Sequence, residues 1–96
     1  MLDQNTINFL KKTARNYIPD KSYKVFVFGS RATNTNRKYS DIDLGIMGPK
    51  PLSASAYVSL KQDFQESDLP YRVDLVDFSN VSDKFKQVSL RTIIDI

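Results

Sequence analysis

The stretch Val25-Phe26-Val27-Phe28-Gly29-Ser30, followed after ten residues by Asp41-Ile42-Asp43-Leu44-Gly45-Ile46-Met47, decides how this chain is read. A run of β-branched and aromatic residues ends on a Gly-Ser pair. A polar loop carrying Arg31, Arg37 and Lys38 intervenes, and two carboxylates one residue apart then open a second apolar run. A strand that stops at Gly29-Ser30 suits phosphate, because glycine lets backbone amides approach an anion and serine adds a hydroxyl. A strand that opens with Asp-x-Asp turns Asp41 and Asp43 to the same side, with their roots roughly 6 to 7 Å apart. Like charges at ~6 Å repel by about 3 kcal/mol at an effective dielectric of 20, so the pair calls for a cation.

Working outward, residues 23–28 predict a strand, apolar on both sides and hence interior to a sheet. Ser30 has the chemistry to cap a short helix over 31–33, and Asn34-Thr35-Asn36 reads as turn. The strand over 41–47 alternates, with Ile42, Leu44 and Ile46 on one face and Asp41, Asp43 and Gly45 on the other. Upstream, Ile7, Leu10, Ala14, Tyr17 and Ile18 recur at helical spacing and stop at Pro19. Downstream, a helix from Ser53 carries Tyr57, Leu60 and Phe64 as its apolar stripe, has Asp63, Glu66 and Asp68 on its wet side, and stops at Leu69-Pro70. A third strand over 71–77 places Val73 and Leu75 on one face and Arg72, Asp74 and Val76 on the other. Residues 82–94 read as a last helix led by Phe85 and Val88. The expected fold is α/β (α+β): a small mixed sheet of at least three strands, with helices packed on one face and the acidic face open.

With 96 residues the chain is expected to be one domain, 1–96, with room for one core. It contains no cysteine and no histidine, which excludes disulfides, imidazole triads and His- or Cys-ligated zinc. A metal would need oxygen ligands, which favours magnesium or manganese. The net charge of +3 is mild and unclustered, so a general nucleic-acid coat is not indicated. No run reaches the length of a membrane span and no signal-peptide pattern is visible, so no membrane role and a cytoplasmic location are expected.

Asp74, in Arg72-Val73-Asp74-Leu75-Val76, adds a third carboxylate if its strand lies beside the Asp-x-Asp strand. Taken alone, Asp-x-Asp is most often a solvated strand end or a cap, and Gly-Ser is a common turn. Together at this spacing they should arise by chance in roughly one chain of this length in a thousand. The set Gly29-Ser30, Asp41-Ile42-Asp43 and Asp74 resembles the DNA polymerase β-like nucleotidyltransferase superfamily. The short length and the wording Gly-Ser-Arg-Ala…Ser-Asp-Ile-Asp-Leu are similar to its minimal nucleotidyltransferases, the antitoxin members of HEPN toxin–antitoxin modules.

That resemblance implies roles. Gly29, Ser30 and Arg31 would bind the nucleotide triphosphate. Asp41 and Asp43 would hold two magnesium or manganese ions, and Asp74 would complete the catalytic site and help take the nucleophile's proton. Relatives continue the motif with Arg-Gly where this chain has Thr33-Asn34, and Arg37 or Lys38 would compensate. The expected activity is transfer of a nucleoside monophosphate, AMP from ATP, onto a hydroxyl, a tyrosine of a HEPN-type toxin held in a hetero-oligomer. Two alternatives stand beside it: a non-catalytic module that neutralises its partner by docking, and transfer to a small molecule. A catalytic sheet of this size leaves no room for a template-gripping domain, so processive nucleic-acid synthesis is not expected. Tyr39 could stack on a base or pack at a sheet edge, Arg72 could meet phosphate or pair with the carboxylates, and Asp77 reads as a strand-end or turn residue.

Overall fold

The computed structural model describes residues 2–33 and 41–96. Helix α1 (Gln4–Tyr17) buries Thr6, Leu10, Thr13 and Ala14, the face that the helical spacing selects. Its cap is Asp3, whose carboxylate accepts the Thr6 amide at 2.7 Å. Past its end, Arg15 donates to the carbonyls of Ile18, Asp20 and Tyr23 at 3.2, 3.1 and 2.9 Å. This fixes the turn around Pro19 that delivers the chain into β1 (Lys24–Phe28). Next come α2 (Ser30–Thr33), β2 (Ile42–Met47) and α3 (Ala54–Gln65), the last capped by the Ser53 hydroxyl at 3.2 Å from the Ala56 amide. Then follow β3 (Val73–Asp77), a turn of 3-10 helix (Phe78–Asn80), α4 (Asp83–Ser89) and β4 (Ile94–Asp95).

Among the described residues the strands form one mixed sheet in the order β3-β2-β1-β4. Strand β1 is interior, as the apolar run Val25-Phe26-Val27-Phe28 predicts, and runs antiparallel to both β2 and β4. Strands β2 and β3 are parallel, which requires a crossover, and α3 supplies it. The outer edge of β3 is partly occupied: the Tyr57 hydroxyl on α3 donates to the Leu75 carbonyl at 3.0 Å.

The main core lies between the sheet and helices α1 and α3. Ile42, Leu44 and Ile46 from β2 meet Val25, Val27 and Leu75 from the sheet and Leu10, Ala14, Leu60 and Phe64 from the helices. Full burial of such side chains is worth about 1.5–3 kcal/mol each, so this face dominates the fold's stability. The alternation in β2 and β3 therefore holds. Asp63, which the sequence places on the wet side of its helix, ties the two helices together by accepting the Tyr17 hydroxyl at 2.7 Å.

Three further features differ from expectation. Helix α3 stops at Gln65 with Glu66 as its C-cap, several residues before Pro70. The expected helix over 82–94 ends at Ser89, and Ile94–Asp95 instead pairs with Val27 and Phe26 as a fourth strand. The β-branched run Thr92-Ile93-Ile94 is a poor helix former, and β1 offers it a row of backbone groups to pair with, extended by the Ile96 amide to the Val25 carbonyl at 3.0 Å. The face opposite the main core is also not open along its whole length. Phe26, Phe28 and Phe78 form a second small core there, with centroid distances of 5.0 Å for Phe26–Phe78 and 5.1 Å for Phe28–Phe78. Gly45 makes this possible, since a Cβ there would run into the Phe26 ring and come within 2.8 Å of Phe78. The acidic face is thus closed at its Gly45 end and open at its Asp43 end. Among the described residues no helix is long and apolar enough to cross a membrane.

Candidate active site

Phe28, the last residue of β1, pairs with Asp43 of β2. The chain then leaves the sheet through Gly29 at φ 73°, a left-handed conformation that L side chains avoid. The Gly29 carbonyl accepts the Ala32 amide at 3.1 Å, and Ser30 opens α2. Gly29 is required for a second reason: a Cβ there would collide with the Oδ2 of Asp43. The turn that follows β1 therefore lies directly against the carboxylate of the second Asp-x-Asp residue.

On its other side Asp43 is the register partner of Asp74 in the parallel β2/β3 ladder. Directly opposed residues of adjacent strands point to the same face, so the two carboxylates are neighbours. Asp41 lies just outside β2 and is exposed. The electrostatics follow: the Asp43 carboxyl is pushed above its ordinary value of 3.8 by burial first, then by the charges of Asp74 and Asp41. Asp74 is partly offset by Arg72, whose Nε stands 3.7 Å from its Oδ1, although the Arg72 side chain is 78% exposed. Oxygen-only donors around a carboxyl whose charge is disfavoured by burial and by acidic neighbours fit a hard divalent cation. Among the described residues no three acidic side chains already stand in ligating geometry, so a cation held by Asp41, Asp43 and Asp74 would require their side chains to turn toward it.

Gly29, Asp43 and Asp74 thus come together, with Asp41 at the mouth. Arg31 is 4% exposed, and its guanidinium sits over the Tyr71 ring at 4.4 Å from the centroid. Arg37, Lys38 and Tyr39 lie outside the described residues. Asp77 ends β3 and caps the 3-10 turn, accepting the Ser79 amide at 3.0 Å and the Leu52 amide at 2.9 Å. Two openings adjoin the site. A groove of about 610 Å³ runs along the edge of β3 past Tyr71, Arg72 and Asp74. A smaller hollow of about 370 Å³ lies beside Gly29, between Phe28 and the Val88-to-Thr92 segment. Sequence reading missed both Tyr71 and Arg91, which lines that hollow. Alternation puts Tyr71 on the helix-side face with Val73, but no local pattern links it to Arg31.

Residues 8–94 match the polymerase beta nucleotidyltransferase family. The chain belongs to it. Over 79 residues this nucleotidyltransferase is 43% identical to the probable protein adenylyltransferase MntA of Haemophilus influenzae, a match covering 82% of this chain and 68% of that one. Among solved structures it is similar to a mutant of the toxin–antitoxin MntA–HpeT, with TM-score 0.73, 27% identity, and coverage of 98% of this chain and 72% of that one. It is likewise similar to a toxin–antitoxin crystallised with AMP-PNP, with TM-score 0.69, 26% identity and the same two coverages, 98% and 72%. The geometry around Gly29 and Asp43 is what a nucleotidyltransferase needs: a side-chain-free turn for phosphate beside a carboxylate whose nearest acidic neighbours raise the cost of its charge.

Proposed function

We propose that this nucleotidyltransferase moves AMP from ATP onto a hydroxyl of a partner protein, a tyrosine of a HEPN-type toxin, and thereby acts as the antitoxin of the pair. The observation that carries the reading is the juxtaposition of the Gly29 turn, Asp43 and Asp74. The likeness to a probable protein adenylyltransferase and to a toxin–antitoxin crystallised with AMP-PNP supports the nucleotide, the acceptor class and a hetero-oligomer. The family match over residues 8–94 supports treating 1–96 as a single domain. An ATP-dependent reaction of this kind belongs in the cytoplasm.

Asp41, Asp43 and Asp74 would hold two magnesium ions, with manganese able to substitute. When bound, the ions polarise the α-phosphate and offset charge on the departing pyrophosphate. The chain's own residues do the rest. Gly29 and Ser30 let the triphosphate lie against the sheet end, and Arg37 and Lys38 add positive charge from the loop. Asp74, at the edge nearest the open groove, takes the proton of the incoming hydroxyl. The acceptor oxygen forms a bond to the α-phosphorus as the bond to the bridging oxygen breaks, and pyrophosphate leaves. Incubation with the partner, ATP and magnesium should add an adenylate-sized mass to the intact partner. No mass gain with any nucleoside triphosphate would overturn the reading.

One observation favours a second reading, neutralisation by docking alone: the relatives were solved as toxin–antitoxin assemblies. Asp43→Asn separates the two. If the substituted chain silences its partner as well as wild type at equal dose, docking suffices.

A further inference from the structure

Arg31 follows Gly29-Ser30 in sequence yet faces away from solvent. It is 4% exposed, and its guanidinium lies 4.4 Å from the centre of the Tyr71 ring. Long cationic side chains are rarely this buried unless a specific partner holds them, and an aromatic face shielded from water is among the stronger ones. Tyr71 is itself packed against the main core. The carbonyl of the next residue, Arg72, accepts the Ile42 amide at 2.8 Å, and Ile42 sits between Asp41 and Asp43. Two residues further on, Asp74 is the register partner of Asp43. The Tyr71-Arg72 segment is therefore stitched to the phosphate turn on one side and to the carboxylate strand on the other.

We infer that Arg31 and Tyr71 form a positioning pair that sets the placement of the Gly29-Ser30 turn relative to Asp43 and Asp74. Neither side chain touches the nucleotide in this role. The pair acts through the turn, by holding its first residues to the base of β3. An arginine suits it better than a lysine, because the planar guanidinium can stack on a ring while its N–H groups remain directed outward. Misplacing bound reactants by about 1 Å can cost about a hundredfold in rate while ground-state binding persists, so the signature of the pair is a change in kcat at nearly constant KM.

The inference rests on the proposed nucleotidyl transfer for its kinetic readout, and a binding readout runs beside it. In the full chain with its partner, Tyr71→Leu should lower kcat by about tenfold or more, with KM for ATP changed by less than about threefold. Tyr71→Phe, which keeps the aromatic face, should restore kcat to within about twofold of wild type. Ile18→Val, a mild trim of the same core, should leave both parameters in place. Tyr71→Met takes the place of Tyr71→Leu if the latter does not fold, with the same expectation. Wild-type kcat in Tyr71→Leu overturns the pair, as does failure of Tyr71→Phe to rescue. A loss shared equally by Ile18→Val reduces it to core packing. The thermal shift on adding magnesium and AMP-PNP separates the layers. If wild type shifts but transfers nothing, the transfer reading fails, and the pair is judged by whether the Ala32 amide, bonded to the Gly29 carbonyl, exchanges its hydrogen faster in Tyr71→Leu and recovers in Tyr71→Phe. If wild type does not shift at all, both fall.

Discussion

Replacing Asp43 by asparagine should stabilise the metal-free protein while abolishing its chemistry. Asp43 and Asp74 are opposed across adjacent parallel strands, which lie about 5 Å apart. Two full charges at that separation repel by about 3 kcal/mol at an effective dielectric of 20. The Asp74 side chain is 43% exposed and has Arg72 3.7 Å away, so solvent and counter-charge reduce this to about 1 kcal/mol. In a domain of this size 1 kcal/mol moves the melting temperature by about 4–8 °C. Scanning calorimetry in EDTA at low salt and neutral pH should place Asp43→Asn above wild type by a shift of that order. With saturating magnesium the ranking should invert, because a ligand at 100 times its Kd stabilises wild type by about 2.7 kcal/mol and the variant has lost a ligating oxygen. The pH dependence carries the same sign. A carboxyl whose pKa is raised by folding penalises the native state fully above that raised value, and the penalty disappears as pH falls through it. Metal-free wild type should therefore gain stability as pH drops from neutrality toward 3.8, and Asp43→Asn should not. Asp3 and Asp20, lowered chiefly by the amides of Thr6 and Ser22, work oppositely, but their contribution is lost only from about 3.8 downward. A variant that melts at or below wild type in EDTA would refute the idea that an uncompensated carboxylate pair exists in the fold.

Three other outcomes follow from the same geometry. Gly29→Ala should lose transfer activity and about 1–2 kcal/mol of stability, since it combines a positive φ with a collision against Asp43; an active, equally stable variant would show that the turn does not abut the carboxylate. Gly45→Ala should cost about 1–3 kcal/mol by overpacking against Phe26 and Phe78, measured in urea, with kcat of the folded protein unchanged. Asp74→Ala and Asp77→Ala should part company: the first removes activity at little cost in stability. The second loses about 1–2 kcal/mol with the 3-10 cap yet keeps kcat, as paired melts and mass assays would show.

How much of this could be read from the chain depended on how local the governing physics was. The Ile42, Leu44 and Ile46 face of β2 and the interior position of β1 follow from residues within a few positions of one another, and each matches the structure. Asp74 joined the site on the condition that its strand lay beside β2, and the parallel register met that condition. What escaped was decided by distant partners. The strand at Ile94 needs the edge of β1 as well as its own β-branched run, and that edge is far away in sequence. The aromatic layer needs Gly45 as an absence of side chain, which alternation alone reads as an open face. Asp63 reads as solvated until Tyr17 arrives from another helix. Arg31 reads as a phosphate ligand because it adjoins Gly29-Ser30, and its burial against Tyr71, a residue far along the chain, is not written in that neighbourhood.

The parallel ladder between β2 and β3 also governs when the site can exist. Asp41 and Asp43 become neighbours as soon as one short strand extends, whereas Asp74 reaches them only after the whole α3 crossover has docked. Contacts between segments so far apart in sequence are among the slow ones to form. A half-folded chain would therefore carry the carboxylate pair of β2 without its third member or the adjoining groove. Assembly of the three carboxylates is in this way tied to docking of the crossover helix.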